Sequence, residues 1–397
     1  MRPAKPIAAW SGWMLDAMDI MLYSLVLNDI RAEFQIDDRT SGLLIALPLA
    51  SSAVGGVLFG WLADRIGRKR ALMASIAMYS VFTAACGLSQ GPLQLAIFRI
   101  MLGIGMGGEW ATGAALVAET WPTQHRGKAL SVMQTGWSVG YAAAAAVAAI
   151  VLPIWGWRAV FFAGLLPALL TLWIRTSVAE SELWRSQRTS PRKRSSTFRQ
   201  LFQGGLGKTT WILTMMNAAA MFAWWGLFTW IPSYLGRPIA EGGAGLPILR
   251  TASWIVLMQV GMFLGVRSFG FIADAFGRKK TYVVYLLAAA ALVPVYGATR
   301  NPVLLLALGP FIAFFGTGYF AGFGAVTAEL FPTRIRATAQ GFTYNLGRGV
   351  SAIAPYAVGT LAVTYGLGAA FSITAGAFLA AAVMWVWIPE TKGRALV

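Results

Sequence analysis

Long, predominantly apolar segments constrain the fold of this chain more than any other feature. Such segments run from Leu43 to Leu62, from Ala129 to Ile154 and from Ala369 to Ile388. A helix of about 20 apolar residues crosses the hydrocarbon core of a bilayer. Because backbone groups in lipid must be satisfied internally, only helices and closed barrels can span it, and these segments lack the alternation of barrel strands. The sequence therefore predicts an all-α membrane protein.

The composition supports this prediction. Hydrophobic residues make up 57% of the 397 residues and charged residues 12%, whereas soluble proteins average about a quarter charged. We predict twelve spans, at residues 10–30, 42–63, 71–90, 92–117, 129–152, 158–176, 211–235, 251–273, 281–299, 303–328, 339–363 and 368–388. Asp16 and Asp19 interrupt the first span, which argues against a cleaved signal peptide.

The net charge of +17 is distributed unevenly along the chain. Most of the 32 Lys and Arg residues fall at the termini and in loops on one side of the predicted topology. Positive charge marks the cytoplasmic side, so we expect both termini in the cytoplasm and the chain in the cytoplasmic (inner) membrane of a bacterium. The basic run at residues 192–194 is interpreted as a membrane-surface patch, and no nucleic-acid partner is expected.

The chain also repeats itself at an offset of 210 residues, the distance from Gly60 to Gly270. Residues 60–69 (GWLADRIGRK) align with 270–279 (GFIADAFGRK), and residues 118–126 (AETWPTQHR) align with 328–336 (AELFPTRIR). A repeat this long indicates two copies of a six-helix bundle related by pseudo-two-fold symmetry. We expect bundles at 1–176 and 209–397, joined by a polar cytoplasmic linker at 177–208.

The charged residues of these repeated loops are predicted to form a cytoplasmic latch, which holds the halves closed on that side. Acids in the loops can pair with bases, and the Arg residues can reach acids at the end of a neighbouring helix. The alternative is that these charges only set the topology. The predicted latch comprises Asp64, Arg65, Arg68, Glu119 and Arg126 in the first copy and Asp274, Arg278, Glu329 and Arg336 in the second.

Three motifs resemble a known family. The loop at 60–69 resembles the G-x-x-x-D-R-x-G-R-[KR] motif of the major facilitator superfamily, although Ala275 replaces its first Arg in the second copy. Residues 99–105 (RIMLGIG) resemble that superfamily's fourth-helix motif, and residues 389–393 (PETKG) resemble its sugar-porter-like ending. The resemblance implies a transporter whose halves rock about a central site near the bilayer midplane. It implies neither an enzyme nor a cofactor or metal, and we expect a monomer.

Six ionisable residues lie within predicted spans: Asp16, Asp19, Arg99, Glu109, Arg267 and Arg348. Each costs about 2.5–3.5 kcal/mol at a helix centre and so marks a functional hypothesis. Two close, desolvated carboxylates cannot both ionise easily, so one of them can hold a proton. The only histidine lies in a predicted cytoplasmic loop. We therefore predict Asp19, then Glu109, then Asp16 as proton carriers; the alternative is a structural set satisfied by Arg99 or backbone. Arg99, in the fourth-helix motif, is expected to pair with an acid and to orient the bundle or the proton path.

The first span also resembles a narrower group within the superfamily. Residues 12–19 (GWMLDAMD) are similar to the first helix of organic-acid proton symporters, which include sialate, lactate and aromatic-acid carriers. Residues 107–109 (GGE) and 341–345 (GFTYN) resemble the sialate/lactate group. This resemblance implies import, together with protons, of a small organic anion, a monocarboxylate such as lactate, sialate or an aromatic acid.

Arg348 is the predicted substrate anchor. It lies about nine residues, or roughly 13 Å, into its span, and a guanidinium can hold a carboxylate through two parallel hydrogen bonds. Arg267 is the second candidate, with extension to the cytoplasmic surface as its alternative. We expect Trp224 and Trp225 to wall the site, and Trp230 either to join them or to anchor the chain at the membrane interface. The other predicted substrate-binding residues are Tyr344, Asn345, Gln134, Gln259 and Tyr23, which lies one turn beyond Asp19.

Other functions fit parts of the pattern. Residues 103–108 (GIGMGG) match a dinucleotide-binding motif, but they lie inside an apolar span, where small residues serve helix packing. The ending at 389–393 also suggests a proton-coupled symporter of a sugar or polyol. The same carboxylates and latch would serve an exporter driven by proton antiport. A transporter-like receptor is the remaining alternative.

Overall fold

The structure is a computed structural model, described for residues 4–120, 126–169, 173 and 197–392. Every regular element in these ranges is helical, which confirms the predicted helical class. The part before residue 170, called here the N-terminal part, contains α1 (Ala4–Leu25), α2 (Leu27–Phe34), α3 (Asp38–Ile66), α4 (Arg68–Cys86), α5 (Pro92–Thr120) and α6 (Arg126–Phe162).

The part from residue 197 onward, called the C-terminal part, is helical in the same way. Its α-helices are α7 (Thr197–Gln200), α8 (Leu206–Phe228), α9 (Ile231–Gly236), α10 (Ile248–Phe276), α11 (Arg278–Ala298), α12 (Pro302–Gly318), α13 (Phe323–Leu330), α14 (Thr333–Ser351), α15 (Ala354–Tyr365), α16 (Leu367–Ala370) and α17 (Ser372–Met384).

Eight helical stretches among the described residues are long and apolar enough to cross a bilayer. They are Asp38–Ala63, Val132–Leu169, Leu206–Gly236, Ile248–Phe276, Arg278–Ala298, Pro302–Leu330, Thr338–Tyr365 and Leu367–Met384. Helices α1, α4 and α5, of 22, 19 and 29 residues, lie where three further spans are predicted. The count of twelve spans stays a prediction.

Two glycines make the same sharp turn at the repeated loop motif. Gly67 separates α3 from α4 with φ 107° and ψ 156°, and Gly277 separates α10 from α11 with φ 102° and ψ 150°. Side chains disfavour this positive-φ conformation, so glycine is the residue that fits. The helices that end at these turns, α3 and α10, have 29 residues each. The two-fold relation between the bundles stays a prediction.

The glycine run of the fourth-helix motif packs helices together, as interpreted from the sequence. A Cβ atom on Gly107 of α5 would lie 1.9 Å from the Ser52 carbonyl oxygen on α3, and one on Gly103 would lie 2.3 Å from the Pro48 carbonyl oxygen. Such contacts are possible only without side chains, so the run brings α5 against α3 at backbone distance.

Helices from the two parts of the chain also pack against each other. α6 contacts α10, and α3 contacts both α14 and α15. The Tyr141 hydroxyl on α6 donates a hydrogen bond of 2.9 Å to the Phe228 carbonyl oxygen at the end of α8. These contacts enclose a central space that both parts of the chain line.

Candidate substrate and proton site

A small aromatic cavity lies between α1 and α6 on one side and α8, α10, α12 and α14 on the other. Its volume is about 40 Å³, whereas sites for small organic ligands typically hold about 300–1,000 Å³. The walls must therefore part before a substrate can enter. The aromatic and polar residues of its lining are Trp13, Gln134, Trp137, Ser138, Trp224, Trp225, Thr317, Phe320, Tyr344 and Arg348.

Four tryptophans form the wall of this cavity. The ring centroid of Trp137 lies 5.0 Å from that of Trp13 and 5.6 Å from those of Trp224 and Trp225. Trp224 is fixed by a 2.9 Å hydrogen bond from its indole nitrogen to the Thr317 hydroxyl. The four rings present broad flat faces, which suit a planar apolar group.

Several buried donors face no acceptor among the described residues. Arg348 is 5% exposed, and its Nε and Nη2 atoms make no hydrogen bond there. The same holds for the indole nitrogens of Trp13 and Trp137 and for the Ser138 hydroxyl. An unsatisfied buried donor costs about 1–3 kcal/mol, and an anion with carboxylate oxygens would satisfy several of these at once. The cavity therefore offers a cation and hydrogen-bond donors of the kind that a carboxylate accepts.

The three predicted proton carriers form one buried group beside Arg348. Asp16, Asp19 and Glu109 are buried, at 1%, 1% and 0% exposure. Asp16 and Glu109 both lie close enough to Arg348 to interact with it electrostatically. A Cβ atom on Gly12 would lie 2.5 Å from Oε1 of Glu109, so the glycine lets this carboxylate pack against α1.

Asp19 has a polar neighbour that the sequence did not reveal. The Thr83 hydroxyl oxygen lies 3.0 Å from Oδ2 of Asp19 and 2.9 Å from the carbonyl oxygen of Tyr79. A hydroxyl has one proton to donate. It can donate to an ionised Asp19, or accept from a protonated Asp19 and donate to Tyr79. Either charge state of Asp19 thus finds a partner.

Arg99 has a different environment from the one expected. It is 1% exposed, its Nε donates a 2.6 Å hydrogen bond to the Leu44 carbonyl oxygen, and its Cζ lies 3.8 Å from the Tyr23 ring centroid. No salt bridge joins it to an acid among the described residues, so the expectation of an acidic partner is wrong there. The electron-rich ring and the carbonyl stabilise the cation instead. Tyr23 consequently packs on Arg99 and does not line the cavity.

The remaining predicted substrate-binding residues divide into two groups. Gln134 and Tyr344 line the cavity together with Arg348. Gln259 is buried on α10 but outside the cavity lining, Trp230 is likewise buried outside it, and Asn345 is exposed. Arg267 is also exposed, and its Cζ lies 4.9 Å from the Phe271 ring centroid. The geometry therefore brings one predicted anchor, Arg348, to the cavity.

The second copy of the predicted latch is a connected network. Arg278 contacts Asp274 at 2.5 Å and Glu329 at 3.3 Å, and the Thr391 hydroxyl donates a 2.5 Å hydrogen bond to Glu329. Glu390 accepts the backbone N–H of Arg278 at 2.8 Å. Burial raises the pKa of Glu390, but hydrogen bonds from four backbone N–H groups outweigh this and lower it overall.

The first copy of the latch can be described only at Arg65, which is exposed with its Cζ 4.0 Å from the Trp61 ring centroid. The other predicted latch residues whose side chains lie outside the described part are Asp64, Arg68, Glu119, Arg126 and Arg336.

A buried ion pair joins the two parts of the chain at the other end of the helices. Nη1 and Nη2 of Arg237 donate hydrogen bonds of 2.9 Å and 2.7 Å to the two oxygens of Asp38. Arg31 adds a contact of 3.1 Å to the same carboxylate. Asp38 and Arg237 are 6% and 3% exposed. Neither residue was predicted to be functional. The available signals were that Asp38 is an acid beside an apolar segment and that Arg237 is one of the few bases on the side opposite the predicted cytoplasmic side.

The fold and site define a helical membrane protein with an anion-suited cavity between two groups of helices. A family model described as the Major Facilitator Superfamily matches residues 9–266 and 245–396. The chain therefore belongs to the major facilitator superfamily. It is a transporter and not an enzyme, as the sequence predicted.

Individual relatives agree with this assignment. A cis,cis-muconate transport protein of Acinetobacter baylyi is 33% identical over 385 residues, covering 95% of this chain and 91% of the relative. A sialic acid transporter of Escherichia coli is 32% identical over 381 residues, covering 96% and 92%. The crystal structure of a D-xylose–proton symporter superposes with a TM-score of 0.81 at 21% identity, covering all of both chains. That last likeness shows the fold alone, whereas the relatives confirm the predicted resemblance to organic-acid transporters.

Proposed function

We propose that this protein imports a small organic anion together with protons by alternating access. The observation that carries the proposal is the buried guanidinium of Arg348, whose Nε and Nη2 lack acceptors among the described residues and which lines the aromatic cavity. The relatives compared above are named for muconate and sialic acid, both of which are organic acids.

The cavity favours a carboxylate with a flat or unsaturated body. Arg348 can bind the two carboxylate oxygens, because its terminal donors match their spacing. The indole N–H groups of Trp13 and Trp137 supply further donors, and the ring faces of Trp224 and Trp225 cover apolar surface. A sugar or polyol would need more acceptors along its length than Gln134, Ser138 and Thr317 provide. The sugar symporter is therefore the second candidate, favoured by the ending at 389–393.

Proton coupling follows from competition for Arg348. When Asp16 and Glu109 are ionised, their charges attract the guanidinium and repel a substrate carboxylate. Protonation removes this competition, so the proton and the anion bind together more readily than either alone. Asp19 would take part through its electrostatic interaction with Asp16, with the Thr83 hydroxyl accommodating both of its charge states.

Alternating access needs closures at both ends of the helices. We assign the latch around Arg278 and Glu329 to the cytoplasmic end and the pair of Asp38 with Arg237 to the opposite end. In this proposal the bundles comprise residues 1–176 and 209–397, and residues 177–208 link them. Both termini lie in the cytoplasm, and the protein is a monomer in the bacterial inner membrane.

The test replaces the anchor and compares it with an exposed arginine. Purified Arg348→Lys and Arg267→Lys proteins are titrated with muconate, sialic acid, benzoate and xylose, and binding is followed by tryptophan fluorescence. We expect Arg348→Lys to weaken binding of the preferred acid about 10–100-fold, since a lost charge-assisted hydrogen bond is worth about 1.5–3 kcal/mol. The Arg267→Lys protein should bind like the parent.

Two results would count against the assignment. Unchanged acid binding in Arg348→Lys would remove this arginine as the anchor, most clearly if Arg267→Lys lost affinity. Saturable binding of xylose with no binding of any acid would favour the sugar symporter.

A further inference from the structure

A second, larger cavity shares no lining residue with the aromatic cavity. It has a volume of about 310 Å³ and runs between α3 and the α14–α15 segment, so it is bounded by both parts of the chain. Leu43, Ala46, Leu47 and Ala50 form one wall, at the spacing of a single helix face. Gly349, Ala352, Ile353 and Tyr356 form the other wall at the same spacing. We call this cavity the lateral groove.

The rim of the lateral groove is apolar and exposed. Leu43 is 46% exposed and Ile353 is 58% exposed, and both lie within helices long enough to span a bilayer. Apart from the Tyr356 hydroxyl, no lining side chain carries a hydrogen-bonding group. An apolar rim at this depth is suited to contact with lipid and poorly suited to an aqueous channel.

One end of the lateral groove carries a positive charge. Arg39 lies one turn before Leu43 on α3, and its Nε donates a 2.8 Å hydrogen bond to the Tyr356 hydroxyl across the groove. Its Cζ is 5.7 Å from the Tyr356 ring centroid. The residue is exposed, and its two terminal nitrogens make no hydrogen bond in the described part of the chain, although the neighbouring Asp37 carboxylate interacts with it electrostatically. The ring and the hydroxyl therefore hold the guanidinium in place at the mouth of the groove, with donors to spare.

We propose that the lateral groove binds one anionic phospholipid, with its phosphate on Arg39 and one acyl chain along the groove. Charge complementarity selects an anionic headgroup, because the guanidinium matches phosphate oxygens. The wall from Leu43 to Ala50 is about 10 Å long at 1.5 Å per residue, against about 15 Å for half of the hydrocarbon core. The groove therefore covers roughly two thirds of one leaflet's acyl region.

A lipid at this position would contact both parts of the transporter at once. Its acyl chain would touch α3 in the N-terminal part and α14–α15 in the C-terminal part, and its phosphate would sit at the Arg39–Tyr356 contact that joins them. This consequence rests on the proposed alternating access, in which movement of the two parts relative to each other would change the width of the groove. The site does not depend on the nature of the transported substrate.

The test measures lipid retention by native mass spectrometry. The full chain is reconstituted in phosphatidylcholine with increasing phosphatidylglycerol, extracted in mild detergent and weighed with its bound lipids. Ala50→Phe fills the groove, and Ala146→Phe, at an exposed alanine on α6, is its matched control. Arg39→Gln removes the headgroup contact, and Arg250→Gln, at an exposed arginine at the start of α10, is the charge control.

The expected result is one phosphatidylglycerol per parent chain, lost from Ala50→Phe and retained by Ala146→Phe. Arg39→Gln should bind phosphatidylglycerol at least tenfold more weakly, while Arg250→Gln binds it like the parent. Retention of phosphatidylglycerol by Ala50→Phe overturns the proposal, because the acyl chain then lies elsewhere. Equal retention of phosphatidylcholine and phosphatidylglycerol by the parent overturns the role of Arg39. A dimer that Ala50→Phe dissociates would instead make a second copy the occupant and would equally overturn it.

Discussion

The buried pair of Asp38 with Arg237 gives the sharpest quantitative prediction. Removing one partner of a buried, hydrogen-bonded ion pair typically costs about 3–5 kcal/mol, because the other charge is left uncompensated. Asp38→Asn leaves both Arg237 and Arg31 without their shared carboxylate. If the transporter opens at the end that holds this pair, water solvates the unpaired charges, and the open state does not carry this free-energy cost. Asp38→Asn should then shift the equilibrium toward the open end by about 10²–10⁴-fold, since 1.4 kcal/mol is a factor of ten.

The partner variant should have a smaller effect. Arg237→Gln leaves Asp38 paired with Arg31 at 3.1 Å, so the expected cost falls to about 1–3 kcal/mol. The double variant should cost less than the sum of the two single variants, since neither unpaired charge of the Asp38–Arg237 pair remains.

The assay measures access to the central cavity from the Asp38 end. Ser138→Cys places a thiol in the cavity lining, and right-side-out vesicles are treated with a membrane-impermeant maleimide. Asp38→Asn in this background should label at least tenfold faster than its parent, and protein with only the buried Cys86 gives the background rate. Asp37→Asn is the matched control, because Asp37 is the exposed cap of the same helix and Asn caps equally well. Equal labelling rates for Asp38→Asn and Asp37→Asn would refute the reasoning.

Two further predictions concern the buried carboxylates. Gly12→Ala should lower the maximal uptake rate at least tenfold, because its Cβ would lie 2.5 Å from the Glu109 carboxylate. Gly91→Ala is the control and should transport normally, since its Cβ would have nothing within 4 Å. Equal rates for the two variants in initial-uptake assays would contradict the close packing. Thr83→Val should alter the pH dependence of uptake because it removes the hydroxyl beside Asp19, and Thr83→Ser should restore the parent profile. Identical pH profiles for the Val and Ser variants would exclude a role of the hydroxyl.

The sequence was informative wherever few alternative structures are energetically acceptable. Apolar runs predicted helices because lipid leaves the backbone few alternatives. The alignment of the two loop motifs pairs Gly67 with Gly277, and both glycines make the same positive-φ turn. Arg348 was identified because a guanidinium in a span is expensive unless it is used, and it does line the cavity. Each of these signals is local.

The sequence was less informative about partners. Arg99 was expected to pair with an acid. The free-energy cost of burying a guanidinium shows that it needs a partner, but not whether that partner is a carboxylate or, as here, the carbonyl of Leu44 and the ring of Tyr23. Asp38 and Arg237 are 199 residues apart, so only the folded chain brings them together. The sequence does not show whether Trp137 packs in the core, anchors the chain at the interface or lines the cavity. Its position three residues after Gln134, which puts both on one helix face, was the available signal.

The central claim is that proton movement and organic-anion movement are coupled through the buried carboxylates. It is tested most directly in proteoliposomes with an imposed inside-alkaline pH gradient, in which uptake of a labelled acid such as muconate and the internal pH are recorded together. The parent protein should accumulate the acid and acidify the interior. Asp19→Asn should exchange internal for external acid but neither accumulate it nor acidify the interior. Accumulation by Asp19→Asn equal to that of the parent, or proton-driven efflux of the acid, would contradict the account.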